Sequence, residues 1–502
     1  MGFIKGMDIS SYQEMLDKGY SYFDECGNKV DIIEYAVKKG FNYARIRIWN
    51  NPLNIPESGG YCGLDETIKL AKIIKDVGIP YLLDFHYSDW WADPGNQNKP
   101  KAWEYLHGRE LMNAVYEYTK EVLDTLADNG VTPSMVQVGN EIRCGMLWPD
   151  GSSEDYRTLA KLVNAGIKGV RDSKGGETTQ IMLHLDQGGR YHYYEKWFDA
   201  VMRNGVEDFD IIGLSYYPFW HGTYQDLDET LEKLEDRYHK DLIVAEVAYA
   251  NRLGDDSLFG KGHERLGGFP ASEEGQFEAL KIISGIINGV KSSRGKGFFY
   301  WEPFMRAENA SSWGYCMGIV DENGNPLKTL KEMSVSFPID IEEARNSYSK
   351  LKYSDDCAEP INGTNIISKP ELVNDLSNWN YSNPYNVSYT IEQVDGIDTF
   401  NFQSKGNVYF TLHQTVEIKK SGDYSLVVEY KGDNTTGVCV KPFIKFADYR
   451  REINIYPSDK MWTRGVIDIS IEKGTLVDVG IEVDSPEIKG QIRSIGLYLK
   501  KG

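Results

Sequence analysis

The feature that most restricts this chain is a beat of short apolar segments separated by longer amphipathic ones, running from the N-terminus to about residue 340. Tyr43–Ile48, Pro80–Phe85, Ser134–Val138, Gln180–Leu185, Asp210–Ser215, Leu242–Glu246 and Gly297–Tyr300 have strand length, and Gly6–Ile9 precedes them. Continuous β-branched runs of this kind fit strands covered on both faces, as in a parallel sheet. Between them, Leu70, Ile73, Ile74 and Val77 share one helix face that Gly78 and Pro80 end, and Glu110–Leu126 stops at Asn129-Gly130. The pattern predicts an α/β fold, a (β/α)8 TIM barrel over residues 1–345. A doubly wound sheet would bring a Gly-rich phosphate turn after the first strand, and none is present.

After residue 345 the texture changes. Residues 346–362 are polar and turn-rich and read as a linker. From 363 to 502 the helical periodicity disappears, and runs such as Tyr424–Tyr430, Val466–Ile471, Val477–Val483 and Ile492–Leu499 alternate with Gly, Asp and Lys turns. That spacing predicts a C-terminal β-sandwich.

A formal net charge of −20 opposes nucleic acid and anionic membranes as partners. No run of 18 apolar residues exists, so no membrane insertion is expected. Cys26, Cys62, Cys144, Cys316, Cys357 and Cys439 are scattered without a CxxC pair, which favours reduced thiols. Met1 lies close to the first strand with no apolar signal core, so the reading favours the cytoplasm; secretion with the signal removed is the alternative. Oligomeric state is left open. The aromatic share of 13% includes 33 Tyr and 11 Trp, rings with an apolar face and a polar tip that suit sugars and protein cores alike.

In a parallel barrel, residues at the C-terminal ends of strands face substrate. Two such ends deliver carboxylates: Val136–Val138 leads into Gly139-Asn140-Glu141, and Ile243-Val244-Ala245 into Glu246. A strand-end glutamate can also cap a helix or carry a loop charge. Two of them on one bond would be an acid and a nucleophile, with a separation of about 5–5.5 Å giving retention of configuration. Asn140 is placed to reach a sugar 2-hydroxyl. Arg45 and Arg47 share a strand face, and Arg47 is expected to hold the nucleophile ionised, an ordinary ion pair being the alternative. Asp84, His86, Asp89, Trp91 and Asp93 crowd the end of the third strand as a candidate sugar subsite. His184 and Asp186 follow the fifth strand, Tyr216, Tyr217 and Trp220 with His221 the sixth, and Trp301 the eighth. Glu302 is a third strand-end carboxylate, but alternation after Trp301 turns it toward the barrel wall. No HExxH ligand spacing and no GxSxG elbow is present.

Several stretches, in chain order, carry a specific resemblance. Phe3-Ile4-Lys5-Gly6-Met7-Asp8-Ile9-Ser10, Arg45-Ile46-Arg47-Ile48-Trp49-Asn50-Asn51-Pro52, Asp84–Asp89 with Trp91-Ala92-Asp93-Pro94, Val138-Gly139-Asn140-Glu141, Gly213–Pro218 and Tyr300-Trp301-Glu302-Pro303 resemble glycoside hydrolase family 53 over about residues 3–335. The resemblance implies a retaining endo-β-1,4-galactanase that cuts type I (arabino)galactan by double displacement. In it Glu141 matches the general acid/base, Glu246 the nucleophile, and Arg47 and Asn140 the supporting groups. No cofactor is required. Some bacterial members bind a structural calcium after the seventh strand; here Asp255, Asp256 and His263 are the nearest equivalents, at a spacing that does not match. The C-terminal region resembles carbohydrate-binding sandwiches only loosely, with Trp379, Tyr381, Tyr385, Tyr409, Tyr449, Arg450 and Trp462 as platform candidates. The competing readings are another retaining barrel glycosidase, acting on mannan or glucan, and a non-catalytic carbohydrate-binding protein.

Overall fold

The computed structural model describes residues 2–351 without a break and, beyond them, 363–367, 376, 379–384, 387–394, 397–404, 408–432, 440–447, 449–453, 462–485 and 488–500. The chain divides into two units, Met1–Leu351 and Lys352–Gly502.

In the first unit eight strands close a barrel: β1 (Ile4–Asp8), β2 (Tyr43–Ile48), β3 (Tyr81–Phe85), β4 (Met135–Val138), β5 (Gln180–Leu185), β6 (Ile211–Ser215), β7 (Asp241–Val247) and β8 (Gly295–Tyr300). Each strand pairs in parallel with its sequence neighbours, and β8 pairs with β1. The expected strands are matched to within two residues. Helices α1 (Ile32–Lys39), α2 (Leu64–Asp76), α3 (Gly108–Asp128), α4 (Tyr156–Arg171), α5 (Tyr191–Arg203), α6 (Tyr224–Tyr238), α7 (Glu273–Asn288) and α8 (Ile341–Tyr348) follow the strands in turn.

Local sequence explains the boundaries. Asp31 caps α1 by accepting from Ile33 and Glu34, and Gly40 at φ 111° ends it. Thr223 and Asp226 form a reciprocal capping box at the start of α6. On α4, Leu159, Leu162, Val163, Ile167 and Val170 make one buried stripe against the barrel. Helix α8 runs through the residues where the linker is expected to begin; 352–362 lie outside the described residues.

Alternation sorts the strands. Ile46, Val136, Val138, Leu183 and Leu214 point outward into the large core under the helices. Ile4, Tyr43, Leu82, Met135, Met182 and Phe299 fill the N-terminal half of the barrel interior. One pleat higher the interior turns polar, with Arg45, Asp84, Gln137 and His184 all fully or almost fully buried. That polar tier is the floor of the site.

The second unit holds two antiparallel sheets. One orders Ser388–Val394, Ile397–Ser404, Ile488–Leu499, Gly422–Gly432 and Thr463–Ile471; the other orders Asn380–Ser382, Val408–Glu417, Leu476–Ser485, Val440–Phe446 and Tyr449–Glu452. Their inner faces share one core built from Phe400, Phe410, Leu426, Ile444, Ile481 and Leu497, the face-to-face packing of a β-sandwich. Trp379 is buried in the core between the sheets and Tyr381 packs against it, so these two offer no open platform; Trp462 is buried outside that core, under the Arg493 guanidinium at 4.4 Å. Tyr449 is 44% exposed, and the neighbouring Arg450 is paired with Glu452 and Glu482. Tyr409 is half-buried, and Tyr385 lies outside the described residues. Cys26, Cys62, Cys144 and Cys316 are free thiols; Cys357 and Cys439 fall outside the described residues. No described helix is long and apolar enough to cross a membrane.

Candidate active site

Two backbone irregularities deliver the paired glutamates. After β4 the chain turns sharply through Gly139 at φ 84° and Glu141 at φ 48°. A non-glycine residue in the left-handed region costs on the order of 1–3 kcal/mol and clusters at functional sites. The turn is pinned by Gln97, whose Nε2 donates to the Asn140 carbonyl at 2.8 Å. On β7 the register slips between Val244 and Glu246 against β6, and between Val244 and Val247 against β8. Ile243 and Ala245 both face inward, so simple alternation would point Glu246 at the helices. The bulge re-aims it into the barrel mouth.

Arg45 is the hub of the polar tier. Its Nη1 donates to Asp8 Oδ2 at 2.8 Å and contacts Glu246 Oε1 at 2.9 Å. Its Nη2 reaches Asp84 Oδ2 at 2.9 Å and Asn140 Oδ1 at 3.0 Å. Arg47, expected in this role, instead pairs with Glu302, which also accepts from Ser11 Oγ. The guanidinium of Arg47 lies 4.1 Å over the Trp91 ring. The two arginines are one pleat apart, and the nucleophile candidate stands level with the lower one. Glu302 is 1% exposed, and with φ 50° it has left the strand conformation on which the alternation argument depends.

The electrostatics separate the pair. Burial, then the charges of Glu246 and Asp186, push Glu141 well above the usual carboxylate range, while a hydrogen bond from Ser215 works in the opposite direction. Burial raises Glu246 as well, to about 7, against the pull of Arg45. Tyr217 Oη donates to Glu246 Oε2 at 3.1 Å. Each glutamate accepts from one hydroxyl and faces other carboxylates, but Glu246 has the Arg45 cation on it, so the proton of the pair belongs on Glu141. Asp84 is held below its ordinary value against the cost of burial, by Arg45 and then His86.

Several residues expected to touch sugar are struts instead. Asp84 is fully buried between Arg45, Gln137 and His86. His86 uses both ring nitrogens: Nδ1 accepts from Ala92 N at 3.0 Å and Trp49 Nε1 at 3.3 Å, and Nε2 meets Asp84 Oδ2 at 3.1 Å. Asp89 ties three loop positions together through Asn51, Asn54 and Lys101. His184 is fully buried, and Asp186 is clamped by Arg143 at 2.7 and 3.0 Å. Tyr216 points away from the barrel mouth, donating to Gly222 O at 3.0 Å. In each case the carboxylate, imidazole or phenol that looks available in sequence is consumed by its neighbours.

What remains open to a substrate is an aromatic rim. Trp91, Trp220 and Trp301 are partly exposed. Trp301 stands 6.0 Å from Trp91 and 4.5 Å from Trp313, ring centre to ring centre, and Trp313 is 5.5 Å from Tyr217. Asp93, half-buried in a turn with Gly95 and Asn96, adds to the negative field at Glu141. Asn140 donates one amide hydrogen to Ala92 O at 2.8 Å, leaving the second for a sugar hydroxyl. The sequence reading missed Asp8, Gln137, Ser215 and Trp313, and gave Arg45 no role. A polar residue inside an apolar strand, as Gln137 is, was the available signal.

After β7, His263 sits in an aromatic nest of Phe219, Trp220 and Phe259, with Nδ1 accepting from Gly260 N at 3.1 Å. Asp255 starts the short helix Asp256–Phe259; the Asp256 side chain lies outside the described residues. Among the described residues no group of three or more His, Cys, Asp or Glu is arranged to hold a metal ion.

Two strand-end carboxyls over an arginine hub suit hydrolysis of a glycosidic bond. Residues 4–333 match the family model for glycosyl hydrolase family 53. This chain is a member of glycosyl hydrolase family 53. Within the family it is 35% identical over 312 residues to the endo-β-1,4-galactanase of Bacillus subtilis, covering 60% of this chain and 70% of that protein. It is likewise 35% identical over 317 residues to arabinogalactan endo-β-1,4-galactanase A of Aspergillus niger, covering 62% and 88%. A 44% identical relative from Niallia circulans, an uncharacterised protein, matches over 315 residues, 60% of this chain and 83% of its own. The solved catalytic domain of the Ignisphaera aggregans family 53 enzyme superposes with a TM-score of 0.62 at 35% identity, covering 67% of this chain and 96% of that one.

Proposed function

We propose that this chain is an endo-hydrolase of β-1,4-galactosidic bonds in type I (arabino)galactan and acts with retention of configuration. The observation that carries the residue assignment is the Arg45 cation, which stands 2.9 Å from Glu246, whereas the charges acting on Glu141 are the carboxylates of Glu246, Asp186 and Asp93. In the first displacement Glu246 attacks the anomeric carbon as Glu141 gives its proton to the leaving oxygen, forming a galactosyl ester on Glu246. In the second, Glu141, now ionised, takes a proton from water, and that water releases the sugar. Asn140 supplies a donor to the sugar beside the reacting carbon. Trp91, Trp301 and Trp313 offer ring faces to neighbouring galactose units. The family relatives named above, galactanases of bacterial and fungal origin, support galactan over mannan or glucan.

The test is reducing-end release from galactan, mannan and a soluble cellulose assayed side by side with the wild-type chain and Glu246→Ala. Galactan alone is expected to be cut, with the variant folded and at least about 10⁴-fold slower. Hydrolysis of mannan without galactan would replace the substrate, and an unchanged Glu246→Ala would remove the nucleophile.

A further inference from the structure

Behind Glu141 runs a chain of buried polar groups that the double displacement does not by itself require. Ser215 Oγ lies 2.5 Å from Glu141 Oε1, and His184 Nε2 lies 2.9 Å from that same Oγ. On the far side of the imidazole, Gln137 Nε2 lies 3.0 Å from His184 Nδ1. Gln137, His184 and Ser215 are each fully buried. The orientation of Gln137 is set by charge: its Nε2 donates to Asp84 Oδ1 at 2.6 Å and its Oε1 accepts from Arg45 at 3.3 Å. A flipped amide would put the oxygen against a carboxylate and the nitrogen against a guanidinium.

The hydrogens can be placed by counting donors. An ionised Glu141 only accepts, so the Ser215 hydroxyl donates to Oε1. With its one proton used, Ser215 must accept from His184, whose Nε2 therefore carries the ring hydrogen. Nδ1 is left as an acceptor, facing the Gln137 amide. Asn140 Oδ1 also lies 3.1 Å from Nδ1 and accepts from Arg45 at 3.0 Å; of the two Gln137 amide hydrogens one goes to Asp84, and the relay gives the other to Nδ1 in preference to Asn140 Oδ1 and Gly139 O. Burial and then the charge of Arg45 keep His184 neutral, so the ring carries a single hydrogen.

We propose that Gln137, His184 and Ser215 form a one-way hydrogen-bond relay that makes Oε1 of Glu141 a permanent acceptor and assigns the catalytic proton to Oε2. The proposal rests on Glu141 being the acid/base. In the first displacement the Oε2–H bond breaks as the leaving oxygen gains its proton; in the second, Oε2 takes the proton of water. The relay itself moves no proton. The three are positioning residues: they hold the carboxyl plane on its strained turn and favour its anion in the second step. The other groups facing Glu141 are Glu246 on β7, Asp186 with its partner Arg143, Asp93 in the loop after β3, Tyr217 after β6, Tyr194 on α5 and Cys144 on its own turn. None of them donates to Oε1 among the described contacts.

The experiment follows the pH dependence of kcat/KM on galactan, whose leaving oxygen needs the proton of Glu141, and the kcat for an aryl β-1,4-galactobioside with a good leaving group, whose turnover the second displacement limits. Removing a donor from the carboxylate raises its pKa. Ser215→Ala should therefore move the alkaline limb of kcat/KM up by about one pH unit and lower kcat about tenfold, more than kcat/KM. Ser215→Thr keeps the hydroxyl and should restore the limb, and His184→Asn should shift it in the same direction as Ser215→Ala. A loss equal at every pH, with the limb unmoved, would reduce Ser215 to packing and overturn the relay. Nitrogen-15 chemical shifts of the histidines in the intact wild-type chain provide a second measurement: His184 protonated on Nδ1 would also overturn it. A wild-type chain inactive on galactan would instead remove the assignment of Glu141 on which the relay depends.

Discussion

Arg45 and Arg47 sit two residues apart on β2, face the same interior and hold different carboxylates. Truncating a buried cation leaves its partners charged and unpaired, a loss of about 3–5 kcal/mol. Arg45→Met should therefore cost stability and at least about 10²-fold in kcat, because Glu246 loses the cation that favours its anion. Arg47→Met should cost comparable stability but act on substrate binding through Trp91, raising KM more than it lowers kcat. Steady-state kinetics on galactan with parallel thermal melts would separate the two. The pH profile has a worked sign. Glu246 must be ionised, so activity falls as pH drops through its raised pKa of about 7; Glu141 must be protonated, so activity falls as pH rises through its own raised pKa. Stability runs with these shifts. A carboxyl raised on folding binds more protons folded than unfolded, so stability declines from the ordinary glutamate range near pH 4.5 upward through the folded pKa. Glu141→Gln, neutral at every pH, should then raise the barrel's melting temperature at pH 7 by roughly 1–3 °C while abolishing turnover of unactivated galactan.

At the scale of elements, the barrel is built by short strands whose lower halves are filled by large side chains opposite small ones. Phe299 occupies the space above Gly6, where an added Cβ would stand 2.3 Å from the ring. Gly6→Ala is expected to destabilise the barrel by about 1–3 kcal/mol through overpacking, measurable as a lower midpoint in urea with unchanged slope. Most strands and helices are legible in sequence because apolar period, caps and glycine stops agree. The bulge that turns Glu246 inward is not, because it depends on how β7 meets both β6 and β8. The left-handed Glu141 is equally silent, since the strain is held by packing around Gln97 and Ile142.

For the whole molecule, the two units have separate hydrophobic cores, one lying under the barrel helices and one between the sandwich sheets. Calorimetry of the full chain is expected to resolve two transitions, with Gly6→Ala moving only one of them. Trp379, a candidate for sugar in the sequence, is committed to the second core. An aromatic residue in a β-rich segment is ambiguous until the inner face is known, and sequence alternation alone does not say which face is inner.

The order of strands and helices, the barrel, and the positions of Glu141 and Glu246 at strand ends were determined by the sequence, because each follows from local periodicity and from what a parallel strand presents at its C-terminal end. The tertiary structure alone decided which arginine pairs with Glu246, and which carboxylates and histidines are consumed by their neighbours. Those outcomes depend on the level a side chain reaches inside a closed barrel. One pleat, or one bulge, exchanges its partners.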